Sequence, residues 1–260
     1  MKMDRREAVL RELNLYPQWQ RRGEAAPVEA QAEAAGQPAA GGGDIPPSVE
    51  AVATPVHPAT VASGSGEQSR EQHIATLDWP ELKTMVRDCT ACKLRAGCTQ
   101  TVFGVGDEQA GWLFVGEGPG ADEDAQGEPF VGQAGKLLDN MLMSIGLRRG
   151  DNVYIANVVK CRPPGNRTPE ADEIATCFPY LQRQIRLIQP RVIVALGKTA
   201  ATALLGRDAT LGSLRGTVHD FQGIPLIVTY HPAYLLRSPL EKAKAWEDLR
   251  RAVQVFGQPE

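Results

Sequence analysis

Residues 112–120 read WLFVGEGPG: four apolar residues, then a glycine-rich turn carrying one carboxylate. An apolar run this short, closed by glycine, suits a strand buried on both faces, and such strands belong to parallel sheets. Three further runs share the pattern, so that the expected strands are Trp112–Val115, Val153–Val159, Val192–Leu196 and Leu226–Tyr230. Helical periodicity fills the gaps. Residues 133–145 place Leu137, Leu138, Met141 and Leu142 at helical spacing. Thr168, followed by Pro169 and Glu170, offers a capping hydroxyl and a proline at the first position of a helix expected to run through Leu187. Lys198–Leu205 and Glu241–Val255 read as two more helices. Strand alternating with helix predicts an α/β chain whose parallel sheet is covered on both faces. Ligands of such sheets bind beyond the carboxyl ends of the strands. The segments GEGPG (116–120), NVVKCRPPGNR (157–167) and YHPAYLLR (230–237) fall there.

Upstream the composition changes. Residues 24–72 are rich in Ala, Gly, Pro, Ser and Glu without apolar periodicity, and read as a disordered linker. This stretch holds seven acidic residues and one basic, whereas residues 1–23 hold six basic and three acidic, and the chain from His73 onward has 21 of each. The formal net charge of −3 therefore does not announce a nucleic-acid binder, and any DNA contact must use a local basic surface. Leu10, Leu13, Tyr16 and Trp19 lie at roughly helical spacing among arginines. They predict a short amphipathic helix over 1–23, marginal alone in water and suited to order on a partner. The expected organisation is this helix, the linker over 24–72, and one globular domain over 73–260. No run of about 18 apolar residues suggests a membrane span. The opening MKMDRREAVLRELN lacks the apolar core of a secretory signal, which points to the cytoplasm.

Five cysteines in a reducing compartment point to metal binding or catalysis rather than disulfides. Cys89, Cys92, Cys161 and Cys177 form C-x2-C-x68-C-x15-C, with Cys98 left as a bystander. Four thiolates suit structural zinc or a 4Fe–4S cluster, and the spacing does not choose between them.

The ordered set of C-x2-C, GEGPGADEDAQGEPFVGQAGKLLD, NVVKCRPPGNRTP, Cys177 and HPAYLLR resembles the family 4, iron–sulfur type, uracil-DNA glycosylases, over roughly Leu77 to Val255. The resemblance implies a three-layer α/β/α fold with a four-stranded parallel sheet. It implies a 4Fe–4S cluster on Cys89, Cys92, Cys161 and Cys177, and a monomer that removes uracil from single- or double-stranded DNA. A related group of the superfamily bonds covalently to uracil-DNA through a histidine in a basic insertion. Here only RPPGNR lies between Cys161 and Thr168, without a histidine, so turnover is expected.

Cleaving an N-glycosidic bond in DNA requires a flipped base, a pocket that reads it, donors for the departing anion, and negative charge with a positioned water near the sugar. Phe130 is the candidate stacking face. Asn157 can accept from uracil N3–H and donate to O4, a pattern that cytosine reverses. His231 is the candidate donor to uracil O2, and Glu117 the carboxylate that orients water or stabilises the cationic sugar. The Gly118 N–H could reach the base, and Asn166 is the candidate partner in positioning water. Leu235, Leu236 and Arg237 suit a wedge that fills the hole left by the flipped base, with one of the two leucines expected to join the core instead. Lys160, Arg162, Arg167 and Lys198 are candidates for phosphate contact, and Asp122, Glu123 and Asp124 read as a solvated turn.

Overall fold

The computed structural model describes residues 70–257. Every described residue belongs to one compact unit. The expected helix over 1–23 and nearly all of the expected linker lie outside the described residues. Residues 70–72 do not: they begin a helical turn over 70–74, where Ile74 is buried and the Arg70 guanidinium donates to the Thr176 carbonyl at 2.9 Å. The boundary that composition puts at residue 72 therefore falls inside folded structure.

In chain order the elements are α1 (Trp79–Arg87), β1 (Val105–Gly106), β2 (Trp112–Gly116), α2 (Ala121–Gln126), α3 (Gln133–Ser144), β3 (Val153–Asn157), α4 (Ala171–Ile188), β4 (Val192–Leu196), α5 (Lys198–Leu205), α6 (Leu211–Leu214), β5 (Val218–Phe221), β6 (Ile224–Thr229), α7 (Pro232–Arg237) and α8 (Lys242–Phe256). The sheet has six strands in the order β1-β3-β2-β4-β6-β5. Its inner four pair in parallel and correspond to the four apolar runs; β1 and β5 are added antiparallel at the two edges. The expectation of four strands is corrected to six. An edge strand needs no continuous apolar run, and β5 keeps Val218 48% exposed.

Alternation along the buried strands builds two cores, one per face. Leu113, Val115, Tyr154, Ala156, Ile193 and Ala195 pack with α1, α4 and α5. Trp112, Phe114, Val153, Ile155, Val192 and Val194 pack with α3, α7 and α8. This is the three-layer arrangement. The start of α4 is corrected from Thr168 to Ala171. Glu170 is the N-cap, and the buried Glu173 carboxylate accepts its N–H at 2.7 Å while receiving both Arg167 guanidinium nitrogens at 2.8 and 2.7 Å. That reach-back from Glu173, clamped by Arg167, outcompetes a threonine hydroxyl two residues earlier.

Candidate active site

The inner strands deliver four loops to one end of the sheet: Glu117–Gly120 after β2, residues 158–170 after β3, Gly197 after β4 and Tyr230–His231 after β6. A cleft of about 490 Å³ opens there. Glu117, Gly118, Phe130, Asn157, Asn166 and His231 all line it. Six residues spread over more than a hundred positions are thus brought together.

Asn157 ends β3 and is 2% exposed, with its Oδ1 buried and without a hydrogen-bond partner among the described residues. Glycine at 116, its register partner on β2, is what lets the site close. A Cβ there would collide with Asn157 Oδ1 and stand 2.6 Å from the Phe130 ring. Phe130 holds φ 56, a strained value for an aromatic residue. Arg149 fixes this conformation: its guanidinium donates to the carbonyls of Pro129 and Phe130 at 2.8 and 2.7 Å and to Asp139 at 3.1 Å.

His231 caps α7, and its Nδ1 accepts the Ala233 N–H at 3.2 Å. In the neutral ring the proton must then sit on Nε2, which becomes a donor. Burial pushes the His231 pKa down to about 4, assisted by Arg237 and opposed by Glu123. Its ring lies 5.5 Å from that of Phe130, tilted by 30°. Glu117 Oε2 accepts the Thr199 hydroxyl at 2.5 Å. Asn166 is exposed at φ 57 and its Oδ1 accepts from Arg162 Nε at 2.7 Å, which leaves the amide nitrogen as its donor.

The wedge divides. Leu236 is 44% exposed and Arg237 is exposed at the cleft, whereas Leu235 is 1% exposed in the core beneath α7. The expectation that Leu235 meets DNA is corrected, because a leucine buried in the core beneath α7 cannot also enter a duplex. Lys160 is likewise corrected: it is buried, its ammonium donates to the Asn157 carbonyl at 2.9 Å and to Gln184 at 2.7 Å, and burial lowers its pKa to about 8. Asp122, Glu123 and Asp124, expected as a solvated turn, form the first turn of α2, where Asp122 is exposed and Asp124 buried. Glu123 accepts the N–H groups of Gly120, Val131 and Gly132 at 3.0, 3.0 and 3.1 Å, tying the GEGPG turn to the Phe130 loop. The buried Asp124 accepts from the Thr99 and Gln100 backbone. Only half of a capping box is present, the Glu123 carboxylate reaching back to the Gly120 N–H, because glycine has no side chain to complete it. Nothing local marks Arg149 or Thr199.

On the α4 face, Cys89, Cys92, Cys161 and Cys177 line one small cavity walled by Val86, Leu94 and Tyr180; Cys98 is not among its lining residues. The Lys160 N–H donates to Cys177 Sγ at 3.2 Å. Among the described residues no three cysteine, histidine or acidic side chains converge as a single ion would require. Four cysteine thiols around one cavity are a donor set that suits either thiolate-bound zinc or a 4Fe–4S cluster.

Among known proteins, residues 103–250 match the family model for the uracil DNA glycosylase superfamily. The type-4 uracil-DNA glycosylase of Pyrobaculum aerophilum is 44% identical over 183 residues, covering 66% of this chain and 92% of that protein. That of Thermotoga maritima is 46% identical over 171 residues, covering 64% and 88%. A type-5 uracil-DNA glycosylase of Pyrobaculum aerophilum is 34% identical over 146 residues, covering 50% and 64%. With the three-layer fold and the shared cleft, these matches place the chain: it belongs to the uracil-DNA glycosylase superfamily, in its type-4 branch.

Proposed function

We propose that the chain flips uracil out of DNA and hydrolyses its N-glycosidic bond, releasing free uracil and leaving an abasic site. The observation that carries this reading is the buried Oδ1 of Asn157 in the cleft, which has no hydrogen-bond partner among the described residues. A buried acceptor left unpaired costs about 1–3 kcal/mol, and a ligand donor removes that cost. Uracil N3–H is such a donor, and the same carboxamide then donates to O4. Cytosine presents an acceptor and an amine at those positions, leaving both amide atoms opposed by like groups.

The other residues take roles around the bond that breaks. Phe130 stacks on the extruded base, and the Gly118 N–H approaches it. As the electrons of the C1′–N1 bond leave with uracil, His231 Nε2–H donates to O2, where negative charge develops. Glu117 faces the cationic sugar, and with Asn166 orients the water that adds to C1′. Leu236 fills the vacated stack while Arg237 meets the backbone. Cys89, Cys92, Cys161 and Cys177 would hold a 4Fe–4S cluster, which supplies a covalent staple across three chain segments and no redox step. The same reading makes the protein a cytoplasmic monomer, with residues 1–23 recruiting a replication or repair protein. Among the described residues no helix is long and apolar enough to cross a membrane.

The test is excision from oligonucleotides bearing a single uracil, thymine or cytosine, single- and double-stranded. Release of uracil alone is expected. Absence of uracil release by the iron-loaded protein overturns the reading.

A further inference from the structure

The proposed chemistry places Glu117 on a turn with glycine at positions 116, 118 and 120, the most permissive backbone in the cleft. A carboxylate on such a turn has many orientations, and water or sugar needs one. The Thr199 hydroxyl supplies the restraint by donating to Glu117 Oε2. With Oε2 taken, Oε1 is the oxygen left to face the reacting centre. Thr199 stands in the first turn of α5, whose N-terminal end also favours a nearby anion.

The corner between β4 and α5 touches both halves of the chemistry. Gly197 caps α5 at φ 95, its N–H donates to the Thr229 carbonyl at 2.9 Å, and a Cβ there would stand 3.1 Å from His231 Cβ. Two residues on, Thr199 holds Glu117. Because β4 lies between β2 and β6 in the sheet, this corner is the one that can reach the loops carrying Glu117 and His231 from a single rigid element. From this geometry we infer that Thr199 is a positioning residue for the glycosylase reaction: it acts through Glu117, fixing the carboxylate that serves the sugar and the water. The inference rests on the assignment of Glu117 given above.

The experiment uses the full chain with its iron and compares single-turnover uracil excision, affinity for the abasic-site product and melting temperature. Thr199→Val should slow excision by about tenfold or more, the scale of a lost hydrogen bond to a charged group. Its product affinity and melting temperature should match the parent. Thr199→Ser should recover the rate to within about threefold, since it restores the donor. In an Glu117→Gln background, Thr199→Val should add no further loss, because the carboxylate it orients is gone. If the valine variant unfolds, Thr199→Ala takes its place under the same criteria. A parental rate in the valine variant, an equal loss in the serine variant, or an undiminished loss in the Glu117→Gln background overturns the inference. A parental rate in Glu117→Gln itself overturns instead the assignment of Glu117.

Discussion

The Ala233 N–H donates to Nδ1 of His231 at 3.2 Å, so the chain itself decides which nitrogen of that ring carries the proton. With the pKa down to about 4, the ring is neutral at physiological pH and presents Nε2–H to the cleft. Nitrogen-15 spectra should therefore show His231 as the neutral Nε2–H tautomer from pH 5.5 to 8. His231→Ala should slow excision by about a hundredfold, the scale of one lost oxyanion donor. The same shift affects stability. Below an unfolded value of about 6.5 the unfolded chain binds a proton that the folded ring refuses, so stability falls as pH drops from 6.5 towards 4. The loss attributable to this group is on the order of 3 kcal/mol, and His231→Gln should flatten that part of the profile. Arg237 and Glu123 face the ring and should move the window in opposite directions when neutralised.

Asn157→Asp tests the reading of the base. A carboxyl group buried at this position is driven towards its protonated form, which can donate to cytosine N3 and accept from its amine. Uracil excision should fall by about tenfold or more, and cytosine release should become measurable. An unchanged uracil-to-cytosine ratio would remove Asn157 from recognition.

The cavity lined by four of the five cysteines makes an all-or-none prediction. Serine at Cys89, Cys92, Cys161 or Cys177 should abolish or sharply reduce bound iron and the absorbance near 400 nm, whereas Cys98→Ser should keep both. Full iron content in Cys161→Ser would refute the ligand set.

Arg149 has two backbone carbonyls and Asp139 as partners, and the Phe130 backbone it holds sits at φ 56. Arg149→Met keeps the stem and removes the fork. It should lower stability by about 2 kcal/mol, the scale of charge-assisted bonds lost, and weaken affinity for uracil-containing DNA more than for undamaged DNA. Equal weakening for both would show that Arg149 does not act through the stacking face.

The two leucines of α7 should separate cleanly. Leu235→Ala empties a core position and should destabilise the fold by about 2–5 kcal/mol. Leu236→Ala should leave the melting temperature nearly unchanged and slow excision from duplex more than from single-stranded DNA, since only a duplex has a hole to fill. Equal effects on both substrates would exclude Leu236 as the wedge.

The sequence by itself determined the four inner strands to within two residues at each end, because burial on both faces leaves continuous apolar runs such as Val192–Leu196. Strand-end position pointed to five of the six residues that meet in the cleft, since a parallel sheet collects its carboxyl ends on one side, whereas Phe130 lies outside those segments and was singled out with the help of the family resemblance. The sequence also ordered the four cysteines that share a cavity. Tertiary structure decided what depends on distant partners. The edge strands β1 and β5 exist because neighbours supply their pairing, with only two residues in the first and little burial in the second. Lys160 lies in a buried stretch between Val159 and Cys161, and its ammonium is held there by Gln184, 24 residues away. Which leucine of α7 is free was fixed by the packing of α7 against α3, not by two identical side chains in succession. The bond from Thr199 to Glu117 spans 82 residues. No local periodicity records such a pairing, because hydrophobic spacing reports which face of an element is buried and not which side chain waits on the other side.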